Sequence, residues 1–258
     1  MTKIHFPSRQ YGTQLSFWEG KEYPSILTTN TDNKYNKRTE RNMQKESKRK
    51  TNTYMNLIPP NIQVEGEMEF PLLNPYKGDL PKYVSGMDEP IPSQSKWIGM
   101  HGFCYDNVLE SKCHNFYKLV EKASHYLCAF APDFSIFLDG KRCDAISAIR
   151  KNRYIALGMQ LRGIPTIQTA SISNVNFFDF VYDGLASHCP VAIENNIQKK
   201  IRDREKLIQI SIEELIRKKS PSVLLVVGFP LNFDPGIPVV VYESRIQKFR
   251  KYEIPKNN

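Results

Sequence analysis

Four polar side chains stand where apolar segments of this sequence end. Asp133 follows CAFAP, Thr169 follows TIQ, Asp183 follows FFDFVY and Glu194 follows VAI. If these segments are strands of one parallel sheet, the side chains gather at its carboxyl edge, where neighbouring loops converge. Two or three carboxylates facing one cleft could coordinate Mg²⁺ or divide the roles of general acid and general base. Asp133, Asp183 and Glu194 are therefore the candidate catalytic residues, and the alternative is that the two aspartates only shape turns.

A basic cluster lies just beyond Asp133 in the chain. A planar guanidinium can hold a phosphate and a tyrosine ring can stack on a base. The candidate phosphate or nucleic-acid contacts here are Arg150, Lys151, Asn152 and Arg153. The structural alternative is an internal ion pair between Arg153 and either Asp133 or Asp183.

A second basic stretch occupies residues 30–53 and includes Lys48, Arg49 and Lys50. The chain as a whole has a formal charge of +9 and a pI of about 9.2, which favours polyanionic partners. The stretch has too few apolar side chains to fold independently. It is either a solvated tether or a segment that becomes helical on an anionic partner.

The cysteines and histidines give little support for a metal site. The one cluster with ligand chemistry contains His101, Cys104, Cys113 and His114, but the last two are adjacent and point apart. Zinc is therefore not expected, and the five cysteines are read as reduced thiols because none is spaced as CxxC. The sequence also lacks a P-loop, GxGxxG and GxSxG, which argues against phosphoryl transfer of the P-loop type.

The elements that must position these residues alternate between strand and helix. Helical spacing of apolar residues occurs over 106–126, 144–162 and 198–219. Strand patterns occur in LCAFAPDFSIF, IPTIQTA, FFDFVYDGL, PVAI, SVLLVVGF and VVVYES. This alternation predicts an α/β fold with a mostly parallel sheet and helical crossovers, in the form of an open sheet or a partial or distorted barrel.

Composition divides the chain into three regions. Residues 1–96 are basic and Pro-rich and are predicted to be extended and partly disordered, residues 97–250 form the α/β core domain, and residues 251–258 are a basic tail. The amino terminus has no secretory pattern. The longest apolar runs are much shorter than the roughly 20 residues that span a bilayer. A cytoplasmic protein without a membrane partner is expected.

Several short motifs follow one another in a fixed order between about Tyr126 and Gly228, and together they resemble those of a known family. The chain resembles the domain-of-unknown-function family 4417 of phages, plasmids and integrated mobile elements, whose members share a PDFS strand, a YRNR-type helix, a GI-x-VIPT strand and an FDGI strand. The matching positions are Pro132 to Ser135, Asn152, Arg153, Gly163 to Thr166, Asp183 and Gly184. The chain departs from the pattern at Thr169-Ala170 and at Glu194-Asn195-Asn196.

The leading functional hypothesis is a mobile-element protein that acts on or alongside nucleic acid during replication or maintenance of the element. The charge, the basic stretch and the resemblance support it. One alternative is an enzyme for a sugar or nucleotide that uses carboxylates at the strand ends. A second is a protein-binding module whose Pro-rich arm recruits a partner, in which case the protein partner is unknown.

Overall fold

The structure is a computed structural model that describes residues 54–196 and 203–244. These residues all belong to one compact unit, Asn42–Asn258. The basic stretch 30–53 and the tail 251–258 lie outside the described residues. No helix in the described part of the chain is long and apolar enough to cross a membrane.

Seven parallel strands form the main sheet, and their spatial order is their order in the chain. After a small antiparallel pair, β1 (Val64–Glu65) and β2 (Phe70–Pro71), the sheet strands are β3 (Tyr83–Gly86), β4 (Ile98–Gly102), β5 (Cys128–Pro132), β6 (Thr166–Thr169), β7 (Val191–Asn195), β8 (Leu224–Gly228) and β9 (Val239–Tyr242). The sheet thus takes its first strand from the Pro-rich part of the sequence.

Four α-helices are seen in the described ranges. α1 (Asp106–His114) and α2 (Phe116–Ala123) connect β4 to β5, α3 (Arg142–Gln160) connects β5 to β6, and α4 (Arg204–Lys219) precedes β8. Short 3₁₀ turns cover Tyr54–Leu57, Ser95–Trp97 and Val175–Phe177. The helix predicted over 144–162 is confirmed, and the chain leaves it through Gly163, whose φ of +76° suits a glycine at a helix end.

Side chains from the two faces of the sheet form separate layers. One layer lies on the concave side, where strand after strand contributes a residue: Val84, Phe130, Ile167, Ala192, Leu225, Val227 and Tyr242. Alternate residues such as Ala129, Val191 and Val226 instead pack outward among the helices. This alternation is the period of a strand, so each strand end presents one side chain inward and the next outward.

The sheet curls until its two edges nearly meet. The hydroxyl of Tyr242 on β9 donates a hydrogen bond of 2.8 Å to the carbonyl oxygen of Pro81, just before β3. The Tyr242 ring also packs edge-on against Phe130 of β5. The predicted parallel α/β fold is confirmed, in the form of a nearly closed seven-stranded barrel.

One strand prediction was wrong. FFDFVYDGL forms a 3₁₀ turn and further turns rather than a strand. Its backbone makes local bonds, among them those from Val181 to Phe177 and from Asp183 to Phe180. The apolar side chains Phe177, Phe180 and Val181 are buried in the outer core because their spacing of three and four residues follows a turn of helix.

Candidate functional site

The carboxyl end of the barrel brings together Asp133 and Glu194. Asp133 directly follows β5, and Glu194 is the fourth residue of β7, on the same inward face as Ala192. Between them, beyond the end of β6, Ser171 donates a hydrogen bond of 2.5 Å to Oδ1 of Asp133. Asn196 donates to Oε1 of Glu194. The expected meeting of polar side chains at this edge therefore occurs for two of the three candidate carboxylates.

Both carboxyl groups bind protons more tightly than they would in water. Burial raises the pKa of Asp133 to about 6, although the hydrogen bond from Ser171 and the charge of Arg153 oppose this. Burial raises the pKa of Glu194 to about 7, and the negative charge of Asp133 raises it further. The Asn196 amide acts in the opposite direction. Both carboxyl groups therefore have a pKa near neutrality, so that the pair can exchange protons near neutral pH.

The backbone around Asp133 is held by the motif residue Asn152 and by Thr169, at which the chain departs from the family pattern. Asn152 on α3 accepts a hydrogen bond of 2.8 Å from the backbone N–H of Phe134. Thr169 donates to the carbonyl oxygen of Pro132 at 3.1 Å. These bonds fix the backbone on both sides of Asp133, so the predicted phosphate contact Asn152 instead positions a carboxylate.

Arg153 is an internal scaffold residue. It is 1% exposed, and its guanidinium donates to the carbonyl oxygens of Asp183 at 2.9 Å and Val181 at 3.0 Å. Because its N–H donors face carbonyl groups inside the domain, Arg153 does not offer paired donors to an external phosphate. The alternative of an ion pair with Asp133 or Asp183 is not among the salt bridges of the described residues, since the hydrogen bonds of this guanidinium go to backbone oxygens.

Asp183 does not join the pair at the barrel mouth. It lies in the turns after the 3₁₀ segment, half-buried beside Gly66 of the β1–β2 hairpin. Burial raises the pKa of its carboxyl, and the nearby lysines Lys218 and Lys219 lower it. Its expected position at a strand end depended on the FFDFVYDGL strand, which is absent.

The basic candidates Lys151 and Arg150 contact other side chains of the domain. Lys151 forms an ion pair of 3.0 Å with Glu110, and Arg150 lies over the ring of Tyr154. Lys48, Arg49 and Lys50 lie outside the described residues. Within 54–196 and 203–244, the basic side chains number 17 and the acidic ones 21, so the positive charge of the chain comes from the remaining segments.

The thiol of Cys104 lies near enough to Glu194 to sense its charge. Burial, with the charges of Asp88, Glu194 and Asp106, raises the pKa of Cys104 to about 12, which keeps the thiol protonated. In the described ranges, no three His, Cys, Asp or Glu side chains are placed to hold a metal ion. Mg²⁺ binding by the carboxylates stays a prediction.

Sequence reasoning missed three residues around this mouth. Ser171 binds Asp133, while Asn195 and Arg204 line a cavity beside Glu194. The period of two that places Ala192 and Glu194 inward also places Asn195 outward, so its side of the strand could have been predicted. Arg204 had no such indicator because its position depends on where α4 begins.

Comparison with known proteins agrees with the resemblance seen in the motifs. The gene 1 protein of Mycobacterium phage D29 is 27% identical over 129 residues, which cover 50% of this chain and 48% of the relative. The gene 1 protein of Mycobacterium phage L5 is 26% identical over 129 residues, covering 50% of this chain and 56% of the relative. The chain thus spans about half the length of these curated relatives. No solved structure matches it. The model of the family described as "Domain of unknown function (DUF4417)" matches residues 62–241, and the chain belongs to that family.

Proposed function

We propose that this domain is an enzyme in which Asp133 and Glu194 act as a general base and a general acid on a small hydroxylated substrate. The observation that carries the proposal is the pair of carboxyl groups with raised pKa values at the carboxyl end of the barrel, near enough for the charge of Asp133 to raise the pKa of Glu194. In parallel barrels this end is where loops from several strands converge on a substrate. The remaining interior is filled by apolar side chains, so the substrate would enter from the mouth.

The two carboxyl groups have complementary roles near neutral pH. Asp133, with the lower pKa, is mostly ionised and takes a proton from the substrate. Glu194 holds a proton in a large share of molecules and delivers it to the oxygen that gains charge. Ser171 keeps the Asp133 carboxylate in one orientation through its hydrogen bond. Proton transfer by such groups typically contributes about 10²- to 10⁴-fold to a rate.

The test is turnover by the full chain on a panel of sugars, nucleosides and their phosphates, followed by mass spectrometry. Asp133→Asn and Glu194→Gln should each lower the rate by about 100-fold or more. Asp183→Asn is the matched control because it makes the same change away from the mouth. Absence of turnover across the panel, or full turnover in both mouth variants, would overturn the proposal.

The second candidate is a role on nucleic acid, and the partition of charge favours it. The first 53 residues contain 11 basic and 5 acidic side chains, whereas the described domain is acidic in balance. Any salt-sensitive binding to DNA or RNA would therefore run through the basic segments, with the domain beside the nucleic acid.

Mobility-shift titrations at two salt concentrations separate the candidates. The full chain should bind DNA or RNA more weakly at higher salt, and a variant with Lys48, Arg49 and Lys50 changed to Gln should bind more weakly still. Equal binding by that variant, or no salt-sensitive binding, would remove this candidate without affecting the first.

A further inference from the structure

A small cavity opens beside Glu194, between the end of β7, the start of α4 and the loop from β8 to β9. Its volume is about 60 Å³, which suits one small functional group rather than a whole substrate. The residues that line it are Asn195, Arg204, Glu205, Ile208 and Pro230 to Phe233. Asn195 points to the other face of β7 from Glu194, but the charge of Arg204 is near enough to lower the pKa of Glu194. A ligand group held by Arg204 would therefore lie near that carboxyl group.

The amino end of α4 at this cavity is not capped by a side chain. Asp203 precedes the helix in a left-handed conformation with φ of +63°, and its side chain makes no capping bond. Its carbonyl oxygen accepts from the N–H of Leu207. The earlier N–H groups of the first turn have no partner within the helix. They give this end of the 16-residue helix a partial positive charge that favours an anion.

Two buried polar atoms beside the helix end also lack partners. Asn195 is 3% exposed, and its amide nitrogen donates to the carbonyl oxygens of Phe229 at 2.8 Å and Pro230 at 3.3 Å. These two bonds fix the amide orientation, so Oδ1 is the acceptor that has no partner in the described structure. Nε of Arg204 is a buried donor that also has no hydrogen-bond partner in the described structure. Buried polar groups are normally satisfied, which points to a bound group that supplies both a donor and an acceptor.

We propose that this cavity binds the phosphate group of a phosphorylated, hydroxylated small molecule. The guanidinium of Arg204 and the first-turn N–H groups of α4 donate to the phosphate oxygens, and Oδ1 of Asn195 accepts from a hydroxyl, either that of the monoprotonated phosphate or one on the neighbouring carbon. Arginine suits the role because its donors match the oxygen geometry of phosphate. That the bound molecule is a substrate rests on the proposed function. Phosphate binding itself does not depend on that function.

One lining residue carries a negative charge that repels an anion, so its removal should increase the affinity for phosphate. Glu205 carries a carboxylate beside the cavity but is exposed, so its charge is screened by solvent. Removing that charge with Glu205→Gln should tighten phosphate binding by about 2-fold or more. A gain in affinity cannot result from partial unfolding of the variant.

The experiment titrates the isotope-labelled full chain with inorganic phosphate at constant ionic strength. Saturable shifts should appear at the backbone N–H signals of residues 204–206. Arg204→Gln should weaken binding by about 10-fold or more, since it removes a charge-assisted bond. Lys206→Gln is the matched control: it removes the same charge from the same turn at an exposed position that does not line the cavity, and should change affinity by less than about 2-fold.

The outcomes keep the two proposals distinct. No saturable shift, or equal weakening by Arg204→Gln and Lys206→Gln, would overturn the phosphate site. Phosphate binding that persists in Asp133→Asn and Glu194→Gln supports the site whether or not turnover is found. Turnover that depends on Asp133 and Glu194 without phosphate binding would leave the enzyme proposal standing and remove this one.

Discussion

Replacing Glu194 by Gln should make the protein more stable at alkaline pH. The pKa of Glu194 is raised from 4.5 to about 7 in the folded chain, chiefly by burial. A raised pKa means that the folded protein is more stable with the protonated carboxyl group than with the ionised one. Its contribution to stability is complete below about 4.5 and is lost as the pH rises through about 7. A glutamine at this position keeps the acceptor for Asn196 and carries no charge at any pH.

The size of the effect follows from the two pKa values. A tenfold change in proton affinity corresponds to about 1.4 kcal/mol, so the rise from 4.5 to about 7 amounts to about 3 kcal/mol. Most of this loss falls between pH 5 and pH 8.5. The quantity to compare is the free energy of unfolding of Glu194→Gln minus that of the unmodified chain. We expect this difference to be about 2 to 3 kcal/mol larger at pH 8.5 than at pH 5.

Urea denaturation followed by tryptophan fluorescence at a series of pH values measures this difference. Glu121→Gln, at an exposed position on α2, is the control and should give a curve parallel to that of the unmodified chain. If the Glu194→Gln curve also runs parallel, Glu194 is not a buried carboxyl with a raised pKa. In that case it is not suited to act as the acid. The enzyme proposal further requires that the more stable variant be the less active one.

Two further predictions concern the scaffold. Arg153→Leu should lower the free energy of unfolding by about 3 kcal/mol or more, because the carbonyl oxygens that accept its hydrogen bonds, including that of Asp183, lose their donor inside the domain. Urea denaturation measures this change. A loss below about 1 kcal/mol would contradict the scaffold role. Gly184→Ala should cost more than Gly163→Ala, although both glycines have positive φ, because a Cβ at 184 would lie 2.6 Å from the carbonyl oxygen of Pro71 whereas nothing lies within 4 Å at 163. Thermal unfolding should show a loss of about 1 kcal/mol for Gly163→Ala and at least about 2 kcal/mol more for Gly184→Ala, and equal losses would refute this account.

The sequence was informative wherever local periodicity determines structure. The alternation of strand and helix predicted a parallel sheet, and the inward position of Glu194 follows from its period with Ala192. Asp133 could be placed at a strand end because Pro132 closes an apolar run. These inferences need only neighbours along the chain.

The parts that failed depend on partners distant in sequence. FFDFVYDGL is apolar enough for a strand, but its residues pack as turns against other elements, including a bond from the Tyr182 hydroxyl to the carbonyl oxygen of Ser211. Arg153 reads as a surface cation until the carbonyl groups that surround it are known. The cavity at Arg204 exists only because α4 starts beside the end of β7. Nothing in a single-sequence pattern encodes those contacts.

The order of the strands has a consequence for how the barrel forms. Each strand pairs with the one before it in the chain, so a growing sheet can add strands one at a time as the polypeptide leaves the ribosome. Closure is different, since the hydroxyl of Tyr242 reaches a carbonyl group 161 residues earlier. The carboxyl pair can therefore be assembled with β7, while the enclosed interior is completed only when the last strand arrives.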